Sequence, residues 1–255
     1  VTDRQLVDRT EAWSAIGHLD AEPITFDAGE LTALPGPARR FLEQALPTGE
    51  VAAGPVLLEM EGEIKLRGWM PFTARQILHP SGFVWNATVG RRWLRFRGGD
   101  AYWRGRGSLD FRLVGLVPVV RAAGPDVDRS AAGRLAAEIV AWAPEALVPA
   151  AGATWRPVSD DRATVSRRID GEPVEVTLTV DDDGVLRELA TMRWGNPAGK
   201  DFGLHPFGGS VTEVGTFDGI TVATAGSVGW WWGTDRQADG EFFRYRILDL
   251  DHLRR

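Results

Sequence analysis

Residues 128–149, DRSAAGRLAAEIVAWAPEALVP, decide the fold, because they supply the one long helix in a chain that otherwise reads largely as strands. Ser130 can offer its hydroxyl to a free backbone N–H two or three residues on, which sets a helix start. Leu135, Glu138, Ile139, Trp142 and Ala146 recur at spacings of three and four, so they share one helical face. Pro144 lacks a donor and crowds the preceding turn, so the helix breaks or kinks after Ala143. The expectation is a central helix over 130–143, plugged against a curved sheet. Glu138 is out of place on this face. A carboxylate between Leu135 and Trp142 either lies at the edge of the stripe or pairs with an arginine, or else it is held in a pocket. The spacing leaves these readings open.

Working outward, the strand signal begins in VLLEMEGEIKLRG, where Val56, Leu58, Met60, Ile64 and Leu66 alternate with Glu59, Glu61, Glu63, Lys65 and Arg67. One dry face and one wet face mark an antiparallel sheet. TARQILH, GFVWNATVG (with Phe83, Trp85, Ala87 and Val89 in phase), RWLRFR, AYWRGRG and SLDFRLVG continue it. Beyond the helix, Arg162–Ile169 pairs with Val174–Val180 across an Asp170-Gly171 turn, and Asp218-Gly219 is a second hairpin signal. DDDG, ending at Gly184, leads into Leu186–Trp194. FGLHPFGG (202–209) reads as a Gly-rich loop, and GSVTEVGTF, GITVATAGSVGWWWG and EFFRYRIL complete the set. Gly62, Gly105 and Gly107 mark bulges, bends or close backbone approach. At the N-terminus, residues 3–19 read as a helix capped by Thr2 or Asp3, and Pro37 to Leu46 as a second short helix. The fold class is therefore mainly β (α+β): a single curved antiparallel sheet, or half-barrel, of about ten strands around a central helix. Residues 1–50 form a helical lead-in and 51–255 the half-barrel, in one compact unit.

Composition narrows the function classes. A net charge of −6 gives no general attraction to nucleic acid or anionic lipid. With no cysteine, disulfides, thiolate zinc sites and cysteine nucleophiles are absent. The N-terminus is polar without an apolar signal region, and no apolar run reaches the length of a membrane span. The candidate around Leu113 to Val120 is too short. A soluble cytoplasmic protein without membrane insertion is expected. The Arg-over-Lys bias, with only Lys65 and Lys200, reads as GC-rich, bacterial codon usage.

No G-x-S-x-G elbow, P-loop, complete G-x-G-x-x-G or H-E-x-x-H occurs, so no cofactor is expected. His18, His79, His205 and His252 have no ligand-like spacing, so no metal is expected either. The segment RRWLRFRGGDAYWRGRG (91–107), holding Trp93, superficially resembles a nucleic-acid surface. Strand alternation makes its arginines a solvated face instead. Eleven tryptophans are more than core filling needs, and a helix inside a curved sheet leaves a mouth that aromatics can line. Trp85, Trp103, Trp142, Trp194 and Trp231 are the aromatic candidates. In a strand, Trp230 and Trp232 would project to one side and Trp231 to the other. Asp100, Tyr102, Arg104, Arg193 and His205 are polar candidates beside Glu138.

Several motifs together resemble an uncharacterised bacterial family, a domain of unknown function. They are D-A-Y-x-x-G-x-G (Asp100 to Gly107), R-L-x-x-E-x-x-x-W-x-P-x-A-L-x-P (Arg134 to Pro149), W-x-x-x-x-D-D-x-A (Trp155 to Ala163) and G-F-V-W-x-A (Gly82 to Ala87). The resemblance spans about Leu34 to Tyr245, and SVGWWWGTD departs from the usual pattern. It implies a shape similar to the half-barrels of periplasmic lipoprotein carriers. It transfers no catalytic residue.

Three functions compete. The first is binding of an apolar small molecule in an aromatic-lined cavity. The second is a cofactor-independent cyclase or isomerase in a biosynthetic route, with Glu138 moving protons and Tyr102 or Arg193 stabilising developing charge. The third is an interaction module whose Trp230–Trp232 run forms a contact surface or homodimer patch.

Overall fold

The computed structural model of the chain describes residues 6–26, 28–47, 49–91, 94–113, 117–199 and 201–253. Asp8 caps α1 (Arg9–Gly17), its carboxylate accepting the N–H groups of Thr10 and Glu11. The expected cap at Thr2 or Asp3 lies outside the described residues. α2 (Ala28–Thr32) is short, and α3 (Gly36–Ala45) starts with Pro37 in its first turn and buries Phe41, Leu42 and Ala45. The lead-in is not wholly helical. β1 (Glu22–Phe26) and β2 (Gly49–Ala53) pair antiparallel as a separate ribbon.

The main sheet is mainly antiparallel hairpins in sequence order. β3 (Val56–Lys65), β4 (Trp69–His79), β5 (Gly82–Arg91), β6 (Leu94–Trp103), β7 (Arg106–Leu113) and β8 (Val117–Ala123) form one meander. β9 (Thr154–Pro157), β10 (Arg162–Ile169), β11 (Glu172–Val180), β12 (Leu186–Gly195), β13 (Gly203–Phe217) and β14 (Ile220–Trp230) form another. β15 (Glu241–His252) lies between β3 and β14 and joins the two, giving thirteen strands in the order 8-7-6-5-4-3-15-14-13-12-11-10-9. The sheet is open, and its strand number corrects the expected ten. Leu94 to Trp103 is one strand where two were expected, while the exposed β8 and the four-residue β9 carry too little alternation to be seen. The expected loop at 202–209 is also strand: from Gly203 onward it pairs with β12, because its glycines accept extended backbone as readily as a turn.

The hairpin signals behave as their chemistry dictates. Asp170-Gly171 and Asp218-Gly219 both adopt paired positive φ values, as does Arg104-Gly105, matching the turn twist that antiparallel strands prefer. Gly62 and Gly99 serve close approach instead. A Cβ on Gly99 would sit 1.8 Å from the Trp85 carbonyl oxygen, and one on Gly62 1.9 Å from that of Arg244. Gly62→Ala should therefore destabilise the fold by about 1–3 kcal/mol through backbone displacement, read as a lower urea midpoint. An unchanged midpoint would show that β3 and β15 can part at no cost.

α4 (Pro125–Trp142) crosses the hollow. It starts five residues before the expected Ser130 cap, because Pro125 pre-sets the first-turn φ and Asp126 and Asp128 favour the positive helix end. The Asp128 carboxylate also accepts the N–H of Gly107 at 2.7 Å. Pro144 ends the helix as its chemistry requires, and a 3₁₀ turn, Pro144–Leu147, follows. α4 packs on β10, β11, β12 and β14 and also on β6, β7 and β8, so the sheet curves round it from both sides. Leu135 and Ile139 are fully buried there. The Tyr102 hydroxyl donates to Asp170 at 2.8 Å, tying β6 to the β10–β11 turn across most of the sheet's width. α1 packs on the opposite face, where Ala12 and Ile16 meet Ile77, Val84 and Ala101.

Candidate functional site

Between α4 and the sheet lies a cavity of about 330 Å³. Its walls come from strands far apart in sequence: Trp85 from β5, Phe111 from β7, Phe207 from β13, Trp230 from β14, and Phe242, Phe243 and Tyr245 from β15. α4 contributes Arg134, Ala137, Glu138, Ala141 and Trp142 as the remaining side. Trp142 is fixed by its indole N–H, which donates to the Ala223 carbonyl at 2.9 Å, and by an edge contact with Tyr245.

Glu138 does face this interior, and it is paired. Arg134, one turn earlier on α4, donates through Nε to Glu138 Oε1 at 2.6 Å and through Nη1 to Asp100 Oδ2. Gln76, fully buried on β4, donates to Glu138 Oε2 at 2.6 Å and accepts from Arg134 at 3.3 Å. The Arg134 guanidinium lies over Phe83 at 4.4 Å and Trp85 at 5.6 Å. Burial disfavours charge on Arg134, but Asp100 and Glu138 outweigh it and hold the guanidinium above its ordinary range. Burial pushes Glu138 up; Arg134 and Gln76 oppose this, and Asp100 adds to it. One cation shared by two carboxylates carries an excess negative charge, so the more buried acid is the one that tends to keep a proton. The indole N–H of Trp85 and Asp100 Oδ1 make no hydrogen bond among the described residues, and both atoms are occluded.

Arg193, from β12, is the second cation on the cavity. Its Nε donates to the Ser130 carbonyl at 3.0 Å, and Nη2 approaches Ser130 Oγ at 3.4 Å. Its guanidinium lies 4.6 Å from the Phe207 ring centre and 5.2 Å from that of Trp230. Desolvation and the nearby Arg134 push it down to about 10, with Asp100 and Glu138 opposing, so it remains a cation at neutral pH.

Of the residues singled out from sequence, Glu138, Arg193, Trp85, Asp100 and Trp142 converge on the cavity. The others do not line it. Tyr102 is buried against Asp170, and burial and that hydrogen bond push its hydroxyl up, away from proton transfer. Trp103 alternates to the convex face and packs near α1, while Arg104 occupies the turn that follows and lies over the Trp103 ring at 5.5 Å. Trp194 bonds Asp126 through its indole N–H and stacks with Arg129 at 4.2 Å, in a separate surface groove. His205 touches Trp230 edge-on from outside the lining. Trp231 breaks the expected alternation of the tryptophan run. The strand ends at Trp230, Trp231 takes φ 56°, and its ring stacks on Arg236 at 3.8 Å. Trp93 lies outside the described residues.

Arg134, Gln76, Phe207, Trp230 and the Phe242-Phe243 pair were missed. Arg134 was legible, since it stands four residues before Glu138, the spacing that brings helical side chains together. Phe242 and Phe243 both reach the cavity because the β14–β15 register shifts beside them: Phe243 faces Val228, but Glu241 faces Gly229. Such a bulge suspends alternation locally.

Among the described residues, no group of three or more His, Cys, Asp or Glu could hold a metal ion. No helix among them is long and apolar enough to cross a membrane. A model described as a family of unknown function (DUF6544) matches residues 24–242. The chain belongs to that family. No curated protein matches the DUF6544 chain. Solved structures similar to it include a LolA superfamily protein from Nitrosomonas europaea, at 9% identity over 86% of this chain and 94% of the other, with a TM-score of 0.43. A DUF1329 family protein from Desulfovibrio piger is similar at 11% identity over 86% and 94%, with a TM-score of 0.39.

Proposed function

We propose that this protein binds an apolar small molecule in the cavity between α4 and the sheet. The observation that supports this is the lining: aromatic rings from β5, β7, β13, β14 and β15 surround about 330 Å³, within the roughly 300–1,000 Å³ typical of small-molecule sites. Arg134, Asp100, Glu138 and Gln76 are bonded to one another along the α4 side. A ligand would leave water for the aromatic walls without breaking that network.

The same network ranks the enzymatic reading second. Glu138 carries the raised proton affinity that a general acid needs, but both its oxygens already accept hydrogen bonds from Arg134 and Gln76.

Nile red, a neutral apolar dye, should brighten on binding the wild-type protein. Val228→Trp, which places a large ring in the cavity wall, should cut its affinity at least about tenfold, a loss of roughly 1.4 kcal/mol. Native mass spectrometry of the purified protein should show co-purifying apolar mass in wild type and not in the variant. Equal dye binding by both proteins would place the ligand elsewhere and dismiss the cavity as the site.

A further inference from the structure

We infer that the cavity's ligand is an amphiphilic monocarboxylate whose carboxylate sits on the Arg193 guanidinium and whose apolar body fills the aromatic chamber. This rests on the binding function proposed above and names the ligand class.

Two cations line the chamber, and they differ in what they already hold. Arg134 is committed to Asp100, Glu138 and Gln76. Arg193 forms no ion pair among the described residues: its polar partners are the carbonyl and hydroxyl of Ser130, the second at the long distance of 3.4 Å. Among the described residues Nη1 makes no hydrogen bond, and it is not among the occluded atoms that lack one. A guanidinium presents its donors as a rigid planar fork that matches a carboxylate through two parallel bonds. The fork here has one edge fixed by Ser130, and its plane is flanked by Phe207 and Trp230. An arginine held this way is oriented before any ligand arrives, which lowers the cost of binding.

The surroundings select among anions. Besides Arg193, the only guanidinium on the chamber among the described residues is the committed Arg134, so a dianionic phosphate would lack a second free cation. Phe207 and Trp230 lie beside Arg193, and Leu189 is in the same wall, which suits hydrocarbon. The unpartnered Asp100 Oδ1 and Trp85 N–H are occluded and offer a ligand nothing without movement. Asp100 and Glu138 already act on the Arg193 guanidinium and oppose an incoming carboxylate. The preference for an anion is therefore moderate, about tenfold, from charge-assisted hydrogen bonds rather than from a strong field.

The test compares dodecanoate with dodecanol, which share a chain and differ in headgroup charge, by displacement of Nile red at neutral pH, with dodecanoate below its critical micelle concentration and dodecanol below its solubility limit. Wild type should bind dodecanoate about tenfold more tightly. Arg193→Gln should abolish that difference, the two ligands then binding within about twofold of each other whatever their common affinity, and Arg193→Lys should retain part of it. Equal binding of the two ligands by folded wild type would overturn the anchor and leave the apolar cavity standing. A preference that survives in Arg193→Gln would overturn it too. Binding of neither ligand by wild type would reject the cavity function and the anchor together. The wild-type comparison decides the matter even where a variant fails to fold.

Discussion

Arg134→Met will destabilise the protein by about 3–5 kcal/mol, the cost of leaving a buried ionic partner uncompensated. The substitution strands Asp100 and Glu138 facing one another, with only Gln76 left to donate. It also removes the guanidinium that lies over Phe83 and Trp85. Methionine restores volume, so the loss reports charge and hydrogen bonding more than packing. Urea unfolding at pH 7 measures it directly. Combining Arg134→Met with Asp100→Asn and Glu138→Gln should recover more than half of the lost stability, because the stranded charges are then gone. A single-variant loss under about 1 kcal/mol would mean that Asp100 and Glu138 reach water, against the burial seen here.

Glu145→Gln will flatten the fall of stability with rising pH. Glu145 sits in the 3₁₀ turn after α4, 1% exposed, with Oε2 lacking any hydrogen bond among the described residues. Burial pushes its carboxyl from the ordinary 4.5 up to about 8, opposed only by its own backbone N–H. Arg167 is close in the chain's packing but gives its Nη1 to the Ala146 carbonyl instead. The folded state therefore holds a proton between these pH values that the unfolded state has released. Stability from this group is full below about 4.5, declines as pH rises, and levels off above about 8. At about 1.4 kcal/mol for each pH unit, the decline is on the order of 5 kcal/mol. The variant, which has no proton to lose, should equal or trail wild type at pH 5 and exceed it at pH 9. Parallel stability curves for the two proteins would show that Glu145 ionises freely in the fold.

Much of the fold was legible because it follows from local chemistry repeated along the chain. Alternation in Val56, Leu58 and Met60 set β3, Asp-Gly pairs set two hairpins, and Pro144 set the end of α4. What escaped was whatever broke a period. β8 exposes Val117, Val119 and Val120 and so has no dry face to recognise, and Trp231 leaves the strand through a positive φ that its neighbours in sequence do not announce.

The candidate site was legible where one element carried the signal and obscure where several met. Glu138 and Trp142 lie on one helix at a spacing that places them together. Trp85 and Asp100 are direct cross-strand partners, so one hairpin brings them to the same face. Gln76, Phe207 and Phe243 depend on how strands far apart in sequence are ordered, and nothing local encodes that order. Tyr102 was expected at the cavity as one of the polar groups that this strand offers beside Glu138. It was claimed instead by Asp170, in a turn that sequence places at the other flank of the sheet.

The position of β15 has a consequence for how such a chain is made. β3 waits for a neighbour that begins only at Glu241, so one edge of the first meander stays bare while everything between is synthesised. Until that strand arrives no strand pairing joins the two meanders, and Phe242, Phe243 and Tyr245 are missing from the chamber wall. Long-range pairing of this kind is slow to form and leaves apolar surface open to other chains meanwhile. Nascent protein should be at its most chaperone-dependent just before Glu241 emerges, and lose that dependence within the length of a single strand.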